Sequence, residues 1–261
     1  MLRINQNKKT KIIATIGPAS KTSHILRELI KEGVDIFRFN LKYDTPASHG
    51  IIIDRARKAT QKLGRPVQTL IDFPNPSFEE GFDLAIKKKA DYVALSHVRK
   101  AKEVIEYKRV AANGKLLAKV IVKIETEDAL RNFNSILNET DAIMVARGDL
   151  GETIPIEKIP FVQKEIILAC KKECKMVTVA TEMLLSMVSN KESTRAEVSD
   201  VANAVLEGSD AVMLSEETAV GKNPVETVKV MCKVIQEAER WEKLEHVDIL
   251  SDSGACFKFG I

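Results

Sequence analysis

The sequence has few aromatic side chains and few cysteines. Aromatic residues make up 5% of the 261 positions, so the core must be built from Val, Ile, Leu and Ala. The four cysteines show no zinc-type spacing and no disulfide framework, which favours a reducing compartment. No apolar run approaches the ~20 residues that a membrane-spanning helix needs. The polar, basic segment 1–9 is unlike a signal peptide. We therefore expect a cytoplasmic protein with no membrane partner.

An excess of charge of one sign is also lacking. Forty basic and 37 acidic residues leave a formal charge of +3, which is too small a surplus to indicate a nucleic-acid partner. No Gly/Ser-rich or Pro-rich tract divides the chain. A composition that is 44% hydrophobic and 30% charged excludes intrinsic disorder. We expect one folded domain over 1–261.

Short aliphatic runs alternate with longer amphipathic stretches along the whole chain. The runs are rich in Val and Ile, as is typical of strands buried on both faces of a parallel sheet. Eight such runs in a chain close to ~250 residues predict an α/β fold of the (β/α)₈ barrel type. A doubly wound sheet, the competing interpretation, usually has fewer strands at this length. The predicted strands are 11–16, 34–40, 67–72, 92–96, 118–124, 142–146, 176–181 and 211–215.

Polar or charged side chains follow nearly every one of these runs. In a barrel of this kind the active site lies at the carboxyl ends of the strands, so these side chains would surround one rim. The competing interpretation is a solvated ring of charges with structural ion pairs. The polar residues at the strand ends include Arg38, Asn40, Asp72, Ser96, Lys123, Glu125, Arg147, Asp149, Thr181 and Ser215.

Two carboxylates of that ring suit a divalent cation. Glu125 and Asp149 follow consecutive strands, and carboxylate oxygens are ligands that Mg²⁺ and Mn²⁺ accept. Lys123 lies two residues before Glu125, so both side chains point to the same side of the strand. A lysine there can stabilise negative charge on a phosphoryl group or an enolate. The turn at Arg147–Gly151 can hold a carboxylate with its backbone N–H groups. The pattern indicates a small, anionic, metal-chelating substrate.

Several segments of the chain resemble the pyruvate kinase family. Segment 11–20 (KIIATIGPAS) resembles the family's first strand, 38–40 (RFN) its second strand end, and 210–215 (DAVMLS) its eighth strand. Segment 123–125 (KIE) matches its lysine and first metal carboxylate, and 144–151 (MVARGDLG) the segment with its second metal ligand. Segments 181–184 (TEML) and 193–204 (STRAEVSDVANA) match the signature around its catalytic threonine. On these motifs the chain is identified as a member of the family over roughly 11–239. The resemblance implies a barrel of the phosphoenolpyruvate/pyruvate-binding type.

The resemblance also implies a role for each matching residue. Lys123 would stabilise the phosphoryl group and the enolate, and Arg38 would contact the phosphoryl group. Thr181 would help to deliver a proton to the enolate carbon. Glu125 and Asp149 would bind Mg²⁺ (or Mn²⁺). The substrate-binding positions are Arg147, Gly148, Asp149 and Ser96, and the positions of the family's monovalent cation, K⁺, are Asn40, Asp72 and Lys42.

The sequence departs from the family pattern around the predicted barrel mouth. The third strand passes almost directly into a helix over 78–89, so the family's inserted lid domain is expected to be absent, as is its C-terminal domain. The family's serine, histidine, threonine and phenylalanine are replaced by Lys42, Tyr43, Phe73 and His97, respectively.

Lys42 is expected to take the place of the K⁺ ion. A lysine ammonium is close to K⁺ in charge and can donate hydrogen bonds to Asn40 and Asp72. This would make the protein independent of K⁺. The competing interpretation is that Lys42 points into solvent, as most lysines do.

Three functional hypotheses follow. The first is a pyruvate kinase-like, Mg²⁺-dependent enzyme that acts on phosphoenolpyruvate, pyruvate or a similar 2-oxo acid through a metal-stabilised enolate. A site without a lid provides a poor nucleotide clamp, so phosphoryl transfer to ADP is in doubt. The alternative for the same site is lyase, aldolase or decarboxylase chemistry on a 2-oxo acid. The second is a non-catalytic relative that binds a metabolite or partner. The third is an engineered minimal barrel. The family's pairing surface corresponds to a region around 195–206, which predicts a homodimer.

Overall fold

Eight parallel strands close into a barrel in chain order, with the last strand paired to the first. The computed structural model describes residues 8–74 and 79–248. The predicted (β/α)₈ barrel is confirmed, and each strand agrees with its predicted run to within two residues at either end. The strands are β1 (Lys11–Thr15), β2 (Ile36–Asn40), β3 (Gln68–Phe73), β4 (Tyr92–Leu95), β5 (Lys119–Ile124), β6 (Ala142–Ala146), β7 (Met176–Ala180) and β8 (Ala211–Leu214).

Helices connect the strands and cover the outside of the barrel. The sequence did not indicate the short helices that follow strands β5, β6 and β8. In the described part of the chain, no helix is long and apolar enough to cross a membrane. The helices are α1 (Ser23–Glu32), α2 (Pro46–Leu63), α3 (Glu79–Lys87), α4 (Ala101–Asn113), α5 (Glu127–Arg131), α6 (Phe133–Glu139), α7 (Arg147–Gly151), α8 (Ile159–Lys172), α9 (Arg195–Leu206), α10 (Glu216–Ala219) and α11 (Pro224–Asp248), with 3₁₀ turns at Ile156–Lys158 and Leu185–Val188.

Local sequence signals fix the bounds of the first two helices. Thr22 and Thr45 precede α1 and α2, and each side-chain hydroxyl accepts a hydrogen bond from a backbone N–H of the first turn. Threonine is a favoured N-cap residue for this reason. Each helix ends at a glycine in the left-handed conformation, Gly33 (φ 116°) and Gly64 (φ 63°), which a residue with a side chain adopts at a cost.

The connection after β3 is short. Strand β3 ends at Phe73 and α3 begins at Glu79, so only five residues separate them. The predicted helix 78–89 is observed as α3, and residues 75–78 lie outside the described part. A Cβ atom placed on Gly81 would lie 2.7 Å from the Phe73 ring. The helix therefore packs closely on β3.

The alternation of side chains along each strand separates two apolar regions. One set of strand residues faces the helices and joins the large outer core, which contains Phe37, Phe39 and Phe73. The alternate set faces the barrel axis, and its apolar members include Ile13 and Ile121. Because strand side chains alternate with period two, a residue's parity decides whether it lies inside the barrel or outside.

One bond repeats four times at the amino-terminal end of the barrel. An aspartate stands directly before each even-numbered strand, and its carboxylate accepts a hydrogen bond from a backbone N–H near the start of the preceding odd-numbered strand. The N···O distances are 2.7–2.9 Å. The carbonyl of that same odd-strand residue accepts the aspartate's own N–H. The pairs are Asp35–Ile12, Asp91–Thr69, Asp141–Val120 and Asp210–Val177.

These aspartate bonds should contribute measurably to stability. Asp91 accepts from both the N–H and the hydroxyl of Thr69, so Asp91→Ala leaves two donors without their acceptor. We expect the free energy of unfolding to fall by about 1–2 kcal/mol in urea titrations. The matched control is Asp83→Ala, at an exposed position of α3. Equal effects of the two substitutions would contradict this account.

Candidate active site

The interior-facing positions change from apolar to charged along the strands. Ile36 in β2 and Ile121 in β5 face the barrel axis, and two residues further along come Arg38 and Lys123. Both are nine-tenths or more buried. The parity that places the apolar residues inside therefore also places these charges inside, at the carboxyl end of the barrel.

Lys123 is the centre of a buried hydrogen-bonded group. Its Nζ lies 2.6 Å from Oε1 of Glu125 and donates to Oγ of Ser96 at 2.9 Å. The hydroxyl of Ser96 in turn donates to the carbonyl oxygen of Phe73. The ammonium also lies 3.8 Å from Oδ1 of Asp72. The residues Arg38, Asp72, Ser96, Lys123 and Glu125 form the lysine cluster.

Arg38 and Asp72 form the second ion pair of the lysine cluster. Nε and Nη2 of Arg38 each lie 2.7 Å from Oδ2 of Asp72, and Nη1 donates to Oγ1 of Thr15 at 2.9 Å. Within the described residues, Oδ1 of Asp72 is buried and has no hydrogen-bond partner. A guanidinium has five N–H groups, and these contacts use three of those of Arg38. The cluster holds two positive and two negative side chains, and their formal charges cancel.

The residues at the end of β7 have an unusual backbone conformation. Thr181 has φ 72° and Glu182 has φ 55°. Positive φ is rare for residues other than glycine, and for a β-branched residue it is a genuine outlier. Such a conformation costs roughly 1–3 kcal/mol per residue and persists where the surroundings enforce it.

Contacts from α7 and α9 hold this segment. Nη2 of Arg147 donates to the carbonyl oxygen of Thr181, and its Nη1 pairs with Oδ1 of Asp200 in α9, both at 2.7 Å. The N–H of Gly148 donates to Oγ1 of Thr181 at 2.8 Å, and that hydroxyl donates to the carbonyl oxygen of Ala180. The position of the Thr181 hydroxyl is therefore fixed on two sides. Arg147, Gly148, Thr181 and Asp200 form the threonine cluster.

A buried carboxylate in α10, directly after β8, contacts the segment that follows Thr181. Glu217 accepts hydrogen bonds from the N–H groups of Leu184 and Ser215. Burial raises the pKa of this carboxyl above its usual value, although both hydrogen bonds lower it. Glu217 therefore links the β8 end to the segment that follows Thr181.

Three predicted site residues, Asp149, Asn40 and Lys42, lie outside both clusters. Asp149 is exposed in the first turn of α7. Asn40 uses its side-chain oxygen to accept a hydrogen bond from the backbone N–H of Lys42.

No three His, Cys, Asp or Glu side chains in 8–74 and 79–248 are close enough together to hold a metal ion.

The structure corrects the expectation for Lys42. Its side chain is exposed, and its Nζ lies over the ring of Tyr43, 5.8 Å from the centroid. Only the backbone N–H of Lys42 contacts Asn40. The ammonium does not occupy the position between Asn40 and Asp72, because the chain turns outward after β2 and an exposed ammonium keeps its hydration.

Comparison with known proteins gives the family. The family model described as "Pyruvate kinase, barrel domain" matches residues 7–82 and 78–228. The chain belongs to the pyruvate kinase family. It is 32% identical to a pyruvate kinase of Thermococcus litoralis, over 90% of this chain and 70% of that relative. It is 32% identical to a pyruvate kinase of Geobacillus stearothermophilus, over 94% of this chain and 59% of that relative. With a pyruvate kinase of Thermotoga maritima the identity is 52%, over 59% of this chain and 33% of the relative.

The chain is shorter than these relatives. It spans about three fifths of the Geobacillus pyruvate kinase, and the 156 aligned residues cover a third of the Thermotoga one. The Thermococcus alignment runs over 335 positions, whereas 90% of the 261 residues is about 235, so about 100 positions of that relative have no counterpart here. The two parts of the family match meet at 78–82, at the start of α3. A missing insertion at that point agrees with the short β3–α3 connection.

Sequence reasoning missed several residues that the structure places at the site. Thr15, which pairs in register with Arg38, was not recognised as its hydrogen-bond partner. Asp200 was seen only as part of a family motif and not as the partner of Arg147. The contact of His97 with Glu125 was also not foreseen. A polar residue at the end of an otherwise apolar strand was the available signal for Thr15.

The strained conformation after β7 gives a testable prediction. Glu182 is exposed with φ 55°, and Glu152 is exposed with φ −78°. Because glycine adopts positive φ without steric cost, Glu182→Gly should raise the free energy of unfolding by about 0.5–1 kcal/mol. The control Glu152→Gly should lower it. Chemical denaturation measures both, and a loss of stability in Glu182→Gly as large as in the control would refute the strain.

Proposed function

We propose that this protein is an enzyme that binds phosphoenolpyruvate, pyruvate or a similar 2-oxo acid and stabilises its enolate form. The observation that carries the proposal is the buried ammonium of Lys123 between Glu125 and Ser96 at the barrel mouth. A preorganised positive charge acts most strongly where negative charge develops in a site of low dielectric constant. Membership of the pyruvate kinase family supports the substrate class.

Arg38 and Lys123 would bind the anionic part of the substrate. Asp72 fixes the guanidinium of Arg38, whose described contacts use three of its five N–H groups. Such fixed donors suit a phosphoryl group or a carboxylate. The backbone N–H groups at the start of α7 would bind the substrate carboxylate, since a turn of this kind presents N–H dipoles to an anion.

Thr181 would hold a proton near the enolate carbon. Its hydroxyl donates to the carbonyl oxygen of Ala180 and accepts from Gly148, so a water molecule bound beside it would be oriented. The strain at Thr181 supports a functional role, because strained residues cluster at active sites.

Mg²⁺ or Mn²⁺ would be held by Glu125 and Asp149, together with substrate oxygens and water. The donor set fits: Oε2 of Glu125 accepts one backbone N–H and keeps a further lone pair, and the carboxylate of Asp149 is exposed. Hard oxygen ligands are those that these cations accept. When bound, the cation supplies positive charge that offsets the charge of the enolate.

Enolate chemistry without phosphoryl transfer is the second candidate function. The missing insertion after β3 favours it, since transfer to ADP needs a nucleotide clamp and exclusion of water. A lyase, aldolase or decarboxylase acting on a 2-oxo acid uses the lysine and threonine clusters in the same way. It differs in the bond that is broken.

Pairing of two chains through the α9 face belongs to the same proposal. Val198 and Leu206 in α9, and Leu185 before it, are apolar side chains more than one third exposed. Exposed apolar side chains on this helix and in the turn before it support a homodimer.

One reaction series tests the function. The protein is incubated with Mg²⁺ and phosphoenolpyruvate, with and without ADP, and pyruvate, phosphate and ATP are followed by ¹H and ³¹P NMR. A parallel sample follows deuterium exchange of the methyl group of pyruvate. Pyruvate and ATP formed only with ADP indicate a kinase. Methyl exchange alone indicates enolate chemistry alone. The absence of every product and of exchange would refute the proposal.

Lys123→Met should lose turnover while it keeps the ability to bind. The ammonium matters most when negative charge builds up in the transition state, so we expect a loss of at least ~100-fold in turnover or methyl exchange. Binding of oxalate, a chelating 2-oxo-acid analogue, should change much less in titration calorimetry. Lost oxalate binding with an unchanged rate per bound complex would contradict the role. Lys119→Met, at the exposed start of the same strand, is the matched control.

A further inference from the structure

His97 lies beside the carboxylate that is proposed to bind the divalent cation. Its backbone N–H donates to Oε2 of Glu125 at 2.6 Å, and its Nδ1 lies 3.5 Å from that same oxygen. The imidazole side chain is 57% exposed, whereas that of Glu125 is 2% exposed. The exposed ring therefore lies directly beside the buried oxygen Oε2.

The backbone of His97 is held in a conformation that produces this arrangement. Its φ is 57°, in the left-handed region, and its N–H is bonded to the Glu125 carboxylate. Lys123 contacts the other carboxylate oxygen, Oε1. One lone pair of Oε2 and the nitrogen Nδ1 of His97, 3.5 Å from it, therefore remain for a shared ligand.

We propose that Nδ1 of His97 and Oε2 of Glu125 are joint ligands of one divalent cation, and that this nitrogen ligand makes the site prefer a borderline transition metal such as Co²⁺ to Mg²⁺. The inference rests on the proposed function, which places a cation at Glu125.

The separation of the two donor atoms fits a shared ion. Ligand bonds of about 2.1 Å meeting at a tetrahedral angle place two donor atoms about 3.4 Å apart, and at a right angle about 3.0 Å apart. The observed 3.5 Å lies close to this range. One side-chain rotation of the exposed ring covers the difference.

The donor types decide the preference. Mg²⁺ takes oxygen ligands and dehydrates reluctantly, whereas imidazole suits the borderline transition metals. Loss of the imidazole should thus weaken Co²⁺ binding far more than Mg²⁺ binding. The ratio of the two dissociation constants is the quantity to measure.

The variants are His97→Asn and Glu125→Gln, with His24→Asn as a matched control. Asparagine tolerates positive φ better than most residues, so His97→Asn keeps the backbone while it removes the imidazole. His24 is an exposed histidine in α1, remote from the lysine cluster in the sequence and absent from its contacts. Circular dichroism and thermal unfolding check that each variant folds.

Two measurements are made on each protein. Titration calorimetry gives the dissociation constants of Co²⁺ and Mg²⁺. Electron spin-echo envelope modulation of the Mn²⁺ complex reports whether a ¹⁴N nucleus is bonded to the metal. We expect ¹⁴N modulation in the unaltered protein and in His24→Asn, and its loss in His97→Asn. We expect His97→Asn to weaken Co²⁺ binding about tenfold or more and Mg²⁺ binding by less than about threefold.

The outcomes separate this inference from the function on which it rests. If Glu125→Gln leaves the binding of every metal unchanged, the proposed cation site is wrong. If Glu125→Gln weakens all metals while His97→Asn keeps the Co²⁺ affinity and the ¹⁴N modulation, only the role of His97 is wrong. Absence of ¹⁴N modulation in the unaltered protein also refutes that role, even if His97→Asn fails to fold.

Discussion

Closure of eight parallel strands forces alternate side chains of every strand into one narrow interior. In this barrel the apolar interior residues, such as Ile13 and Ile121, are followed at the carboxyl ends of the strands by Arg38, Asp72, Lys123 and Glu125. Four buried charges are tolerated there because each positive group contacts a negative one at hydrogen-bonding distance. Removing one member of such a pair leaves an uncompensated buried charge, which is strongly destabilising. The same contacts that permit the charges to be buried therefore also orient them toward the mouth.

Much of this arrangement could be predicted from the sequence, because it depends on periodicity. The eight aliphatic runs and the spacing between them determine the barrel. The two-residue spacing of Lys123 and Glu125 places both on the same side of β5, and the structure brings them to 2.6 Å. Parity along a strand needs no knowledge of distant residues, so predictions of this kind succeed.

The sequence could not predict contacts that depend on how loops turn. Lys42 lies two residues beyond the end of β2, and its expected position came from the family's serine that it replaces; the chain turns outward instead. Asp200 and Arg147 are 53 residues apart, and only the packing of α9 brings them together. The positive φ of Thr181 is equally invisible in the sequence, since threonine by itself disfavours that conformation. These features come from tertiary structure and from no local propensity.

The carboxylates of the aspartates at the amino-terminal end join the eight strands in four pairs, each pair a unit of two strands. Each bond joins an odd-numbered strand to the even-numbered strand after it: β1 to β2, β3 to β4, β5 to β6 and β7 to β8. A break in the chain after α4, near Gly114, would leave two whole units in each fragment, whereas a break between β5 and β6 would separate Val120 from Asp141. Fragment complementation should therefore succeed at the first kind of break and fail more often at the second. The carboxylate bonds are thus grouped by strand pair, whereas the backbone carbonyls of Asp35, Asp91 and Asp210 bond to the next odd-numbered strand.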